Sequence, residues 1–243
     1  MPVTVCIATI FRWNYGTVEA PDWGGAAIVL MDRMISAGDV EYEPPQSKFA
    51  VITPHLMLAI AGDYSVHTQA IKKTARHFEG RQDALPEDVA VFYGRAIQAI
   101  KLKEAEDLYL APLGLNSDSF LAQQKDMAPH FVSYLTDQMQ AYRGDEVDAL
   151  IVGGSGRGVA IYAVDTKGIV TCADDVGFAA IGSGAWHAKS ILMKNGFTNN
   201  LRLSQASGIA FAAKKGAEIA PGVGADTDGM VIFKDALRPL WPT

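Results

Sequence analysis

The chain is short of the features that mark several large functional classes. Among 243 residues it has two cysteines, Cys6 and Cys172. Both sit in apolar, strand-like runs, which predicts buried reduced thiols rather than a disulfide or a metal pair. The five histidines, His55, His67, His77, His130 and His187, show no metal-ligand spacing and read as surface or core residues. Charged residues make up 20% of the chain and the formal net charge is −6. With no run of lysine and arginine, that balance argues against a nucleic-acid binder. No apolar run is long enough to span a bilayer as a helix. The N-terminus lacks the basic region and long apolar stretch of a signal peptide. The expected location is therefore a reducing cytoplasm. There is no internal repeat, low-complexity tract or linker, so residues 1–243 read as one domain.

What is present is ample apolar material, 49% of residues, arranged in two periods. VTVCIATI, AAIVLMD, SKFAVIT and LMLAIAG are β-branched or continuous apolar runs bounded by turn formers, and they predict strands. The unbroken character of AAIVLM and LMLAIA predicts strands buried on both faces. A polar and aromatic connection, FRWNYGTVEAPDWGG, separates the first two. The period then becomes helical. YSVHTQAIKKTARHFEG carries Val66, Ala70, Ile71, Thr74 and Phe78 on one stripe, and a second helix begins at Pro86 with acids in its first turn. After a loop containing Pro112, Gly114 and Asn116, the segment from Ser117 to Gly144 reads as helical with a break at Pro129. DALIVGG, GVAIYAVD, GIVTCAD and VGFAAIG return to strands, with Asp165–Gly168 as a hairpin turn. Two more helices and a closing strand, DGMVIF, follow. Strands, helices, strands, helices and strand do not alternate as βαβ units. The expectation is an α+β fold, a four-layer αββα sandwich of two antiparallel sheets between helix layers.

Four stretches together resemble the proteasome-like branch of the N-terminal nucleophile hydrolases. GGAAIVLMDRMISAGD is similar to that family's second strand, where an apolar run ends in Asp-Arg or Asp-Ser-Arg. SKFAVITPHLMLAIAGD is similar to its lysine strand and the Ala-Gly turn beyond. DALIVGGSGRGVAIYAVDTKGIV resembles its Val-Gly-Gly strand, and AAIGSGAWHAKSIL resembles the Gly-Ser-Gly turn that opens its third helix. Asp32 and Lys48 lie 16 positions apart, and Lys48 and Gly62 lie 14 apart, the spacing of the family's Asp, Lys and oxyanion-hole Gly. The likeness covers nearly the whole chain. The opening Thr-Val-Cys-Ile-Ala is closest in style to the Anbu-type bacterial homologues.

The resemblance implies a threonine-type endopeptidase with Thr4 as nucleophile. An N-terminal threonine supplies both a hydroxyl and, from its own α-amino group with a reference pKa of about 8, the base. By the same resemblance Lys48 would stabilise the ionised hydroxyl and Asp32 would orient Lys48. The Gly62 N–H would face the developing oxyanion, and Ser183 would hydrogen-bond the Thr4 amine. Asp226 matches the family's aspartate near the last strand, and a shift of the alignment favours Asp228 instead. No metal or organic cofactor is implied. The implied partners are a peptide or unfolded-protein substrate and identical subunits in a ring or helical homo-oligomer. An ATPase unfoldase is compatible with the resemblance but not required by it.

Other readings stay open beside this one. Thr4 by itself is an ordinary strand residue, and Asp32 and Lys48 by themselves are an ion pair between strands. Gly62 is equally a turn glycine, and Ser183 is expected to cap a helix in either case. Lys72–Lys73 and Lys214–Lys215 read as solvated helix faces. Phe11, Trp13, Tyr15 and Trp23 read as the lining of a substrate channel or as a subunit contact. Met1-Pro2-Val3 precedes Thr4, so the chemistry requires cleavage after Val3, where the family usually has glycine. A helical insertion is expected around 108–140. Two alternative functions remain: a catalytically silent scaffold subunit, and an amidase of the same superfamily acting on a small molecule.

Overall fold

The computed structural model describes residues 4–37, 40–42, 48–142, 144–156 and 158–241. It is an α+β fold with two five-stranded antiparallel sheets and, among the described residues, six α-helices. The first sheet contains β1 (Cys6–Asn14), β2 (Trp23–Asp32), β10 (Phe178–Ile181), β11 (Thr227–Ile232) and β12 (Leu237–Pro239), in the order β10-β1-β2-β11-β12. The second contains β5 (Phe49–Thr53), β6 (Leu56–Gly62), β7 (Val147–Ser155), β8 (Gly158–Val164) and β9 (Val170–Cys172), in chain order. A small hairpin, β3 (Ile35–Ala37) with β4 (Val40–Tyr42), stands apart from both.

Strand alternation sets the layers. From β1, Cys6, Ala8 and Ile10 pack with Met57, Ala59 and Ala61 of β6 and with Leu150 and Val152 of β7. This is the apolar layer between the sheets. The opposite face of β1, with Ile7 and Phe11, and Val5 just before the strand, packs with α5 (Ala185–Lys194) and α6 (Leu203–Ala217). On the other side Leu56, Leu58 and Ile60 of β6 pack with α1 (Tyr64–Phe78) and α2 (Pro86–Tyr109). Central strands are therefore covered on both faces, which is why AAIVLM and LMLAIA lack a polar alternation. Burying each large side chain in these layers contributes about 1.5–3 kcal/mol.

Local signals explain the helices. Asp63 accepts the Val66 N–H and caps α1. Pro86 opens α2, followed by Glu87 and Asp88. On α6, Ala206, Ala210, Ala213 and Ala217 form a small-residue stripe against the first sheet.

The structure revises several expectations. Both ends of the connection after the first strand are strand: β1 runs on to Asn14 and β2 begins at Trp23. Phe11 and Trp13 join the core beside α5 and α6, where Trp13 also packs on Phe233. Tyr15 donates its hydroxyl to the Gly25 carbonyl, and Arg12 stacks over Trp23. The break expected at Pro129 is present, and Pro129 opens α4 (Pro129–Ala141). With a 3₁₀ turn at Ala111–Leu113 and α3 (Ser117–Gln123), α4 builds a satellite core around Leu110, Phe120 and Leu135. The β3–β4 hairpin and β12 are additional strands. Cys6 is buried and Cys172 exposed, both as free thiols. Among the described residues no helix is long and apolar enough to cross a membrane.

Candidate active site

The site lies where β1 begins and β2 ends. Antiparallel pairing sets the end of β2 beside the start of β1, and the Asp32 N–H donates to the Val5 carbonyl. The Asp32 side chain is completely buried. A buried carboxylate must be paired and hydrogen-bonded to be tolerated, and this one is. Its Oδ1 accepts the Thr4 hydroxyl and, at 2.9 Å, the Val5 N–H. Its Oδ2 accepts the Met34 N–H at 3.0 Å and the Gly224 N–H at 3.2 Å. The Lys48 ammonium completes the set, 3.3 and 3.2 Å from the two oxygens.

Lys48 comes from the other sheet, just before β5, and its Nζ lies 2.5 Å from Thr4 Oγ1. The threonine hydroxyl thus donates to a carboxylate and accepts from an ammonium. Positive charge at that distance stabilises negative charge developing on Oγ1, the more so because Thr4 is only 2% exposed. Cys6, two residues on, offers no rival nucleophile. Burial pushes its thiol up to about 12; Asp32 pushes in the same direction and Lys48 in the opposite one.

The Gly182-Ser183-Gly184 turn between β10 and α5 wraps the Thr4 backbone. The Thr4 N–H donates to Ser183 Oγ at 3.3 Å, and the Ser183 hydroxyl lies 3.2 Å from the Thr4 carbonyl and 3.3 Å from that of Pro221. The Gly184 N–H also reaches the Thr4 carbonyl at 3.2 Å. Gly182 has φ +87°, and a Cβ there would collide with that carbonyl, so both conformation and space require glycine. Ser183 does not cap α5. The cap residue is Gly184, and the Ser183 side chain is engaged by Thr4 instead.

The direction of the Gly62 N–H follows from strand parity. The Ile60 N–H donates to the Lys48 carbonyl on the β5 side, and the Asp63 N–H donates to the Glu146 carbonyl on the β7 side. Donors alternate along a strand, so the Gly62 N–H faces the β5 side. Gly62 has φ +112°, and a Cβ there would strike the Glu146 carbonyl.

The structure thus brings Asp32, Lys48 and Ser183 each into contact with Thr4, and strand alternation is what assigns the Gly62 N–H to the β5 side. Asp226 is exposed in the turn before β11. Asp228 is buried and accepts Arg33 Nε at 2.8 Å together with Arg33 Nη2. Arg33 directly follows Asp32, so Asp228 is joined to the site through its neighbour. A scan against protein-family models finds no match, and a search of curated proteins finds none. The chemistry of the site is therefore read from its geometry and from the sequence resemblance.

One residue near the site has a different role from the one its sequence suggests. Lys214 is 1% exposed, not on a solvated face. Its ammonium donates to the Gly224 carbonyl at 2.6 Å, the Ala225 carbonyl at 3.1 Å and Glu218 at 2.8 Å. It anchors the loop whose Gly224 N–H reaches Asp32. A signal was present: position 214 lies four residues after Ala210 and three before Ala217, on the alanine stripe that faces the sheet. Its neighbour Lys215 is 77% exposed in its side chain, as expected of a solvated face. Among the described residues, no group of three or more His, Cys, Asp or Glu is arranged to hold a metal ion.

Proposed function

We propose that this chain is a threonine-type amide hydrolase of the proteasome-like N-terminal nucleophile class, with Thr4 as the nucleophile once it is the first residue. The observation that carries the reading is the contact of Thr4 Oγ1 with both the Lys48 ammonium and the Asp32 carboxylate, with Thr4 and Asp32 both buried. An ion pair that served stability alone would need no threonine hydroxyl against both of its members.

In this mechanism Thr4 Oγ1 attacks the substrate carbonyl carbon and its proton passes to the freed α-amine. Lys48 stabilises the emerging oxyanion of the nucleophile, and the Gly62 N–H stabilises the carbonyl oxygen as it gains charge. The C–N bond then breaks. The amine leaves with a proton, and the acyl group remains as an ester on Thr4. Water, activated by the same α-amine, hydrolyses the ester and restores the threonine. While Val3 is attached, the Thr4 nitrogen is an amide and cannot act as the base, so release after Val3 is the activating step. Ser183, already on the Thr4 nitrogen, would hold the freed amine beside the hydroxyl.

The proposed substrate is a peptide or unfolded protein, admitted to an assembly of identical subunits. Protein purified from its native cells would be incubated with a peptide vinyl sulfone and mapped by mass spectrometry. The expected result is a chain beginning at Thr4 that carries the adduct there. A chain still beginning before Thr4, with no adduct, overturns the reading. Sizing decides between substrates: a small oligomer points to a small-molecule amide instead of a polypeptide.

A second reading, the silent scaffold subunit, is favoured by one observation. Thr4 is almost completely buried and its hydroxyl is engaged by Asp32. The same labelling experiment separates the two.

A further inference from the structure

Directly behind Gly62 lies a buried polar pair that the mechanism above does not use. His67, on the first turns of α1, is 1% exposed, and Tyr93, on α2, is fully buried. Their surroundings are apolar: Leu58, Ile60, Val66, Ala70, Val89 and Ile97 share the cluster. His67 Nε2 lies 3.0 Å from the Ala61 carbonyl, and Nδ1 lies 2.5 Å from the Tyr93 hydroxyl.

These two contacts assign every proton in a neutral ring. A carbonyl oxygen only accepts, so Nε2 carries the hydrogen and donates to Ala61. Nδ1 is then the acceptor, and the Tyr93 hydroxyl donates to it. The two rings lie within 13° of parallel. Burial pushes the His67 imidazole down to about 4, against the Ala61 hydrogen bond and Asp63, with Lys101 adding to the depression. The ring is neutral at physiological pH, as the assignment requires.

The Ala61 carbonyl and the Gly62 N–H are two ends of one peptide unit. No cis peptide occurs among the described residues, so in this trans unit the C=O and the N–H point in opposite directions. Glycine is needed at position 62 for its φ and for the closeness of Glu146. Glycine is also the residue that most easily lets the preceding peptide plane rotate. A donor fixed to the carbonyl end would hold the N–H end on target.

We propose that His67, held in one tautomer by Tyr93, is a positioning residue that locks the Ala61–Gly62 peptide and so aims the Gly62 N–H at the oxyanion of the reaction. The proposal rests on the Thr4 reading. It accounts for a polar pair in a layer where two apolar side chains of similar size would serve stability equally well.

Two probes separate this role from a merely structural one. A β-lactone acylates Thr4 through a tetrahedral intermediate with a carbonyl oxyanion. A peptide vinyl sulfone alkylates the same hydroxyl by conjugate addition, in which no carbonyl oxyanion forms. Rates of both would be measured on the wild-type protein, His67→Leu, His67→Gln and Tyr93→Phe, each verified as folded by circular dichroism. Losing an oxyanion donor outright slows acylation about 100-fold or more, so misaiming it in His67→Leu is expected to slow the β-lactone about 10-fold or more while the vinyl sulfone rate stays within about twofold. His67→Gln places an amide N–H near the Nε2 position and restores most of the β-lactone rate. Tyr93→Phe frees the tautomer and gives a smaller, equally selective loss; it carries the comparison if His67→Leu does not fold. Equal slowing of both probes, or of neither, overturns the proposal while leaving the Thr4 reading intact. A wild-type protein inert to both probes overturns the Thr4 reading, and the proposal with it.

Discussion

Lowering the pH from 7 to 5 adds a proton to His67 in the unfolded chain but not in the folded one. In the unfolded state the imidazole titrates near 6.5, and in the folded state burial holds it at about 4. The folded pKa is depressed, and for a base this means the unfolded state takes up the proton first. The stabilisation is therefore complete above pH 6.5 and is lost as the pH falls toward 4. Linkage gives a loss of about 0.8 kcal/mol at pH 6, about 2 kcal/mol at pH 5 and about 3 kcal/mol at pH 4 from this group alone. Against a typical total of 5–15 kcal/mol that is a large fraction. The assay is urea denaturation of the wild-type protein and His67→Gln at half-unit steps between pH 7 and 4.5. Carboxylates titrate in both proteins and cancel in the difference. The difference in unfolding free energy should shift toward the variant by about 2 kcal/mol between pH 7 and 5. A difference that stays flat over that range would show that His67 is not held neutral, and the tautomer assignment would fall with it.

Other outcomes follow from the same geometry. Lys214→Met strands the Gly224 and Ala225 carbonyls and Glu218, so denaturant titration should show a loss of about 2–4 kcal/mol, whereas exposed Lys215→Met should change stability by under about 0.5 kcal/mol. Lys48→Ala removes the ammonium 2.5 Å from Thr4 Oγ1 and should slow β-lactone acylation about 100-fold or more, measured by intact mass over time; an unchanged rate would exclude Lys48 from the chemistry. Ellman's reagent should titrate Cys172 in the folded protein and reach Cys6 only in denaturant, and rapid reaction of both thiols would contradict the burial of Cys6.

The long apolar strands were legible because both of their faces are covered, so they stand out as continuous runs. The Asp32, Lys48 and Gly62 intervals were legible through the family likeness; the residues sit at the end of β2, just before β5 and at the end of β6, with the β3–β4 hairpin between the first two. Ser183 lies 179 residues from Thr4, and only the family likeness could join them. The length of β1 was hidden by its composition: Arg12 and Asn14 read as loop, yet pair with β2 near its open end. Lys214 was missed because polarity was read as exposure, although it sits in register with the buried stripe of its helix. His67 was read only as a surface or core residue, although it falls three residues before buried Ala70 on its helix. The distinction between Asp226 and Asp228 depended on how β11 pairs with β2, which sets Asp228 against Met31.

Thr4 and Asp32 belong to one sheet, Lys48 to the other, and Ser183 and Gly224 come from the far half of the chain. Contacts of such high sequence separation require long loops to close before they can form. A nascent or half-folded chain therefore carries the threonine without its ammonium and without its serine. On the proposed Thr4 chemistry, completion of folding is a second condition beside release after Val3, because only the closed molecule sets the ammonium and the serine against the threonine.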